Sequence, residues 1–211
     1  MIKKKICIVD YGFGNISSLE NAIDYLKFDY CTLTTPKDLN SFSHLILPGV
    51  GAFEAGINKL QKLKWDLKIK EFVNNGGYLF GICLGMQLLF KYGTNEKTNK
   101  VIEGLGFFEG RCEKFFNNAN KNKLPLPHVG FNKVNHYNSK IWNKIDNPSY
   151  FYFVHSYKIS FTDKTNKCSK TNYGEEFISF IERKNIFASQ FHPEKSHLVG
   201  LNLIKNFCSL S

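Results

Sequence analysis

Short apolar runs alternate with stretches of helical spacing through the first half of the chain. Ile6-Cys7-Ile8-Val9 is apolar at every position, as a strand covered on both faces requires. The glycine-containing turn Tyr11 to Asn15 separates it from Leu19, Ala22, Ile23 and Leu26. Their three- and four-residue spacing predicts a helix, with Ser17 or Ser18 as its cap. Tyr30 to Leu33 reads as a second strand and Leu45-Ile46-Leu47 as a third, stopped by Pro48-Gly49. Helices are predicted around 54–63 and 65–73, the second ended by Asn75-Gly76-Gly77. Tyr78 to Ile82 is the next strand, and a helix begins just after Cys83. This alternation predicts an α/β fold with a mostly parallel central sheet flanked by helices.

The texture changes after about Gly93. Residues 93–123 are polar and rich in Asn, Lys and Gly, with short strand-like pieces such as Phe107-Phe108. Tyr150 to Val154, Phe177 to Ile181 and Ile186 to Phe191 read as strands, and Leu198 to Phe207 as a closing helix. With no internal repeat and no long linker, the chain reads as one domain, 1–211, carrying a hairpin-rich insertion in its second half.

Composition narrows the class. Hydrophobic content of 43% and charged content of 22% suit a folded protein, and 20 Phe with 10 Tyr argue against disorder. No apolar run approaches the ~18 residues of a membrane span. Lys3 to Lys5 precede only Ile6 to Val9 before Asp10, too short an apolar stretch for a signal peptide. Six cysteines without a C-x-x-C pair suggest neither zinc nor a disulfide framework. A cytoplasmic protein without metal or other cofactor is expected. The formal charge of +10 raises a nucleic-acid partner, but only Arg111 and Arg183 of the 28 basic residues are arginine. Arginine is the side chain suited to bidentate base and phosphate contacts, so scattered lysines favour a solvated surface and no nucleic acid.

Gly81-Ile82-Cys83-Leu84-Gly85 is the strongest local signal: a G-x-C-x-G between a predicted strand and helix. It has the form of a nucleophile elbow with Cys for Ser, and a helix N-terminus favours a thiolate. A lone cysteine at a strand end is also a common buried residue. A nucleophile needs a base and an orienting group. Gln190-Phe191-His192-Pro193-Glu194-Lys195 offers both, since residues two apart in extended backbone project to one side. Alone, that segment reads as a turn with a satisfied His; paired with the elbow it reads as base and orienting group. Pro48-Gly49-Val50-Gly51-Ala52 follows a buried strand, where glycines let backbone amides approach a substrate. That loop and the Leu84 amide are candidate oxyanion donors, although a simple turn fits as well. Gly12-x-Gly14 mimics a dinucleotide fingerprint but has Ser17 where the third glycine belongs.

Six segments resemble class I (triad) glutamine amidotransferases: Asp10–Asn15, Pro48–Phe53, Gly81–Gln87, Pro127–Asn132, Tyr152–Tyr157 and Phe191–Ser196. The resemblance implies a flavodoxin-like fold that hydrolyses glutamine. It implies Cys83 as nucleophile, His192 as base and acid, and Glu194 as the orienting group. Gly49, Val50, Gly51 and Leu84 match the oxyanion loop, which in this family can need rearrangement before it donates. Gln87, His155, Ser156 and Glu96 match glutamine-binding positions. Tyr11, Asn15, Tyr152 and Lys195 match positions facing an ammonia-using partner. The first and fourth segments resemble glutaminase subunits that pass ammonia to a separate synthase (cyclase) subunit, as a heterodimer, in histidine biosynthesis. Val129 and Phe131 stand where members commonly carry Met and Trp, and residues 91–103 form a longer stretch than usual. A paralogous synthase aminating a surface-polysaccharide sugar is the alternative acceptor. A stand-alone γ-glutamyl cysteine hydrolase is the alternative of another class.

Overall fold

The fully apolar runs become the inner strands of one sheet. In the computed structural model, which describes residues 5–37, 39–95, 98, 100–115, 124–160 and 166–211, the described residues form thirteen strands and five α-helices. The first half comprises β1 (Ile6–Val9), α1 (Ile16–Tyr25), β2 (Tyr30–Leu33), β3 (His44–Leu47), α2 (Phe53–Lys62), α3 (Trp65–Asn74), β4 (Tyr78–Ile82), α4 (Leu84–Leu88), β5 (Phe90–Thr94) and β6 (Val101–Glu103). The second half adds β7 (Phe108–Lys114), β8 (His128–Val134), β9 (Ser149–His155), β10 (Tyr157–Ser160), β11 (Lys167–Asn172), β12 (Glu176–Arg183), β13 (Ile186–Ser189) and α5 (His197–Cys208).

The main sheet has the order β11-β12-β13-β4-β3-β1-β2. β2, β1, β3, β4 and β13 pair in parallel, while β12 and β11 extend one edge antiparallel. Successive side chains of a strand point to opposite faces. Cys7, Val9, Leu45, Leu47 and Leu79 therefore pack with α2, α3 and α4 on one face. Ile6, Ile8, Ile46, Phe80 and Ile82 pack with α1 and α5 on the other. Sheets of this order collect the loops after their parallel strands along one edge, where such folds bind ligands. Here that edge gathers the Tyr11–Asn15 loop, the Pro48–Ala52 loop, Cys83 and the segment 190–195. The expected insertion appears as a second sheet, β10-β7-β5-β6, and an antiparallel pair, β8-β9. No helix among the described residues is long and apolar enough to cross a membrane.

Two local expectations are corrected, and one helix, begun at Leu84 just after Cys83 as expected, ends early. Helix α1 starts at Ile16 with Asn15 at its cap position and no side-chain cap bond, so Ser17 and Ser18 lie inside the first turn. The helix after Cys83 is only five residues long. The chain then becomes β5, whose Phe90 packs on Phe108 at 5.2 Å between ring centroids, a non-local contact that an apolar Leu88-Leu89-Phe90 run does not announce. Strand β13 stops at Ser189 opposite Ile82, before Gln190 and Phe191.

The short α4 is seated by close approach to β3. A Cβ on Gly85 would collide with the Leu47 carbonyl oxygen, which is backbone and has no rotamer with which to yield. Gly85→Ala is expected to cost at least about 2 kcal/mol of unfolding free energy by urea denaturation, as overpacking against rigid structure does. A stability within about 0.5 kcal/mol of the parent, the usual range for a surface change, would show that the elbow does not need this approach.

Candidate active site

Cys83 occupies the junction of β4 and α4 with φ 54° and ψ −109°. Left-handed φ on a non-glycine residue costs of order 1–3 kcal/mol and persists only where its surroundings hold it. Here the Cys83 N–H donates to Ser189 O at 2.8 Å, and the Gln87 N–H donates to Cys83 O at 3.1 Å. The thiol therefore sits at a fixed tip, buried to 6% exposure, on the wall of a cleft of ≈ 540 Å³. Val50, Gly51, Gln87, Ser156 and Lys114 also line that cleft.

His192 and Glu194 come together as their spacing suggests. His192 Nδ1 lies 2.7 Å from Glu194 Oε1, with the two side chains 3% and 4% exposed. Pro193 opens a single turn of 3-10 helix between them. A carboxylate only accepts, so Nδ1 carries the proton and donates it. Nε2 is buried and has no hydrogen-bond partner among the described residues. Burial disfavours the imidazolium, but the charges of Cys83 and Glu194 outweigh it and push the His192 pKa up to about 10. The imidazole is held through its backbone too. Its N–H donates to Tyr152 O at 2.9 Å, and its carbonyl accepts from Ser196 Oγ at 2.6 Å.

Two of the candidate oxyanion donors, the Leu84 and Val50 amides, are occupied, and one peptide plane, Gly49–Val50, takes part in both bonds. The Leu84 N–H donates to Gly49 O at 3.2 Å, while the Val50 N–H turns away and donates to Phe13 O at 2.5 Å. Gly49 has no room for a side chain, because a Cβ would come within 2.5 Å of the Tyr11 hydroxyl. Tyr11, expected to face a partner, is instead 1% exposed beneath this loop, with its ring stacked on Phe13 at 5.7 Å. Its hydroxyl has no partner among the described residues, and burial, reinforced by Cys83, raises its pKa.

Of the expected glutamine-binding residues, Gln87 and Ser156 line the cleft with His155, and Glu96 lies outside the described residues. The Ser156 carbonyl accepts from the Phe115 N–H at 3.1 Å. His155 is buried in a relay whose tautomers the acceptors dictate. Its Nδ1 lies 2.7 Å from Tyr157 O and must donate to it, so Nε2 is an acceptor. His128 Nδ1, 3.0 Å away, supplies that proton, and His128 Nε2 accepts from Asn132 Nδ2 at 3.4 Å. Burial holds both rings neutral, lowering the His128 pKa to about 4 and that of His155 to about 3. The β8-β9 register that places His128 opposite His155 is the only signal of this pair, and it exists only after folding. Gln190 is also brought to the site. Its Nε2 lies 3.7 Å from Cys83 Sγ, although it precedes the His-Pro-Glu segment rather than belonging to it.

Asn15 and Tyr152 are half-buried and Lys195 is exposed, with the Lys195 ammonium 6.0 Å from the centroid of the Tyr152 ring. Beside them Val129, Phe131 and Leu198 are 56%, 48% and 70% exposed. Phe131 stacks on His197 at 5.0 Å and meets the Tyr152 ring edge-on at 5.6 Å. Among the described residues no group of His, Cys, Asp and Glu is arranged to hold a metal ion.

A five-stranded parallel core thus carries a thiol on a strained turn with a buried imidazole–carboxylate pair beside it, an α/β arrangement. The family profile of class-I glutamine amidotransferases matches residues 7–209, and the chain belongs to that family. It is 40% identical over 204 residues to the imidazole glycerol phosphate synthase subunit HisH 2 of Methanococcus maripaludis, covering 96% of this chain and 98% of that one. The HisH subunit of Helicobacter hepaticus is 38% identical with both chains fully covered, and that of Bacillus subtilis is 34% identical over 98% of this chain and 96% of that one. Among solved structures, PurLQS from Thermotoga maritima superposes with a TM-score of 0.73 at 18% identity, covering 97% of each chain, a likeness of fold alone.

The two neutral histidines make stability depend on pH. Their folded pKa values lie below the ordinary value of 6.5, so between about pH 4 and 6.5 the unfolded chain binds more protons than the folded one. This contribution is fully present above pH 6.5 and is lost as pH falls through the folded values. Urea midpoints are expected to fall from pH 7 to pH 4.5, with a shallower slope in a folded His128→Asn variant. An unchanged slope would contradict the assignment of these rings as buried and neutral.

Proposed function

We propose that this chain is the glutaminase subunit of an imidazole glycerol phosphate synthase, hydrolysing glutamine and passing ammonia to a separate cyclase subunit. The observation that carries the glutaminase reading is the thiol of Cys83 on its strained turn beside the buried His192–Glu194 pair. Support for the histidine-pathway partner comes from relatives of that name aligned over nearly the whole chain.

In this reading the Cys83 thiolate attacks the side-chain carboxamide carbon of glutamine. The carbonyl electrons move onto oxygen, and His192 gives its Nε2 proton to the departing nitrogen as the C–N bond breaks. Ammonia leaves, and a glutamyl thioester remains on Cys83. Water then attacks the thioester while His192 takes up its proton, releasing glutamate and restoring the thiolate. Glu194 keeps the imidazole in the orientation and tautomer that both steps use.

The developing oxyanion needs donors, and at rest both are taken. Turning the Gly49–Val50 peptide over withdraws Gly49 O from Leu84 and swings the Val50 N–H from Phe13 O toward the same point. One rotation thus completes a two-donor hole. Missing one donor costs about 10²–10³ in kcat, so the resting loop is a brake that a docked partner with bound substrate can release. The exposed Val129, Phe131 and Leu198, with Lys195 and Tyr152 beside them, supply the docking face.

Cys83→Ala is expected to abolish glutamine-dependent ammonia release while leaving cyclase binding and ammonia-dependent synthesis intact; surviving glutamine-dependent turnover would refute the mechanism. The isolated chain should release glutamate at least about 10²-fold more slowly than the complex with acceptor substrate bound. Assayed pairwise, only the cyclase of histidine biosynthesis should stimulate it. Stimulation by a sugar-aminating synthase instead would move the acceptor, and fast turnover by the isolated chain would favour a stand-alone hydrolase.

A further inference from the structure

The His192–Glu194 pair accounts for one side of the Cys83 sulfur. On another side lies Gln190, fully buried at 0% exposure and part of no role described so far. It sits between the end of β13 and His192, anchored by its N–H donating to Ser179 O at 2.9 Å. Its side-chain orientation is dictated by neighbours. The Tyr157 carbonyl can only accept, so the Gln87 Nε2 at 3.5 Å must face it. The same Nε2 donates to Gln190 Oε1 at 3.0 Å. That leaves Gln190 Nε2 directed at Cys83 Sγ, 3.7 Å away, within hydrogen-bond range for sulfur. Reversing the Gln190 amide would set its nitrogen against the Gln87 donor and its oxygen against the sulfur.

We propose that Gln190 is a further catalytic residue: its amide N–H donates to the Cys83 sulfur and holds it as the nucleophilic thiolate. The proposal rests on the glutaminase reading and adds to it a donor outside the Cys83, His192 and Glu194 set. A hydrogen bond to an anion is stronger than one to its neutral form, so a fixed neutral donor favours thiolate over thiol. Unlike His192, Gln190 has no proton to deliver. It stays with the sulfur through attack and again when the thioester breaks and the thiolate leaves. Being fully buried, its amide is not displaced by substrate or water, and Gln87 couples its position to the strand that carries Tyr157.

The test reads the sulfur directly. Iodoacetamide alkylation is followed against pH on the isolated chain, at the peptide containing Cys83, because Cys31 and Cys168 are partly accessible. The titratable groups facing Cys83 are His192 backed by Glu194, the buried Tyr11 hydroxyl, and His155 and Lys114 on the cleft wall. All are kept in Gln190→Met, which removes the donor, and in Gln190→Glu, which replaces it with an acceptor. The alkylation midpoint is expected to rise by about one pH unit in Gln190→Met and further in Gln190→Glu, with melting temperatures recorded alongside. A residue with a merely structural role would lower stability without moving the midpoint. An unchanged midpoint in either folded variant overturns the proposal while leaving the glutaminase reading in place. If Gln190→Met does not fold, the midpoint of Gln190→Glu decides between the two outcomes. A parent protein whose Cys83 is no more reactive than Cys31 or Cys168 would instead overturn the glutaminase reading itself.

Discussion

One peptide plane, Gly49–Val50, decides what the Cys83 thiol has around it. Its carbonyl occupies the Leu84 N–H and its own N–H is held by Phe13, so neither amide is free for an oxyanion. That arrangement exists because β1, β3 and β4 end along the same sheet edge, bringing the loops after them into contact. It also depends on glycine at 49, where the Tyr11 hydroxyl leaves no space for a Cβ. The Cys83 thiol, the Gly49–Val50 loop and the His192–Glu194 pair are thus brought together by one topology.

The elements around this edge divide the work. Close approach of Gly85 to the Leu47 carbonyl seats α4 and forces the turn at Cys83, so the strain there is balanced by the packing of the sheet. Strand β13 holds the other side by accepting the Cys83 N–H at Ser189, and then delivers Gln190 and His192. The antiparallel β8-β9 pair brings the His128–His155 relay behind the cleft, while the outer side of β8 carries the exposed Val129 and Phe131. The cleft-lining His155 and the exposed Val129 and Phe131 therefore share a two-stranded unit, which in the proposed function is a short physical route between a docked partner and the cleft.

Much of this was legible in the residues. The inner strands show themselves because Ile6 to Val9 and Leu45 to Leu47 are apolar throughout, as two-sided burial demands. The glycines flanking Cys83 and the spacing of His192 and Glu194 announce the turn and the paired side chains because both patterns arise from local backbone geometry. What the sequence hides is non-local. The end of α4 is set by Phe90 meeting Phe108, the burial of Tyr11 by a loop nearly forty positions away, and the His128–His155 contact by strand register. Gln190 is hidden for the same reason, since its partner Gln87 is adjacent only in the folded sheet edge.

In the proposed mechanism Cys83 carries the glutamyl group in turnover, and that adduct can be observed directly. The chain, mixed with a histidine-pathway cyclase and its acceptor substrate, is given glutamine, quenched in acid within the first turnovers and digested for mass spectrometry. A glutamyl thioester on the peptide containing Cys83, absent without glutamine, is the predicted result. Steady glutamate release with no adduct on Cys83, or with the adduct on another residue, would contradict it.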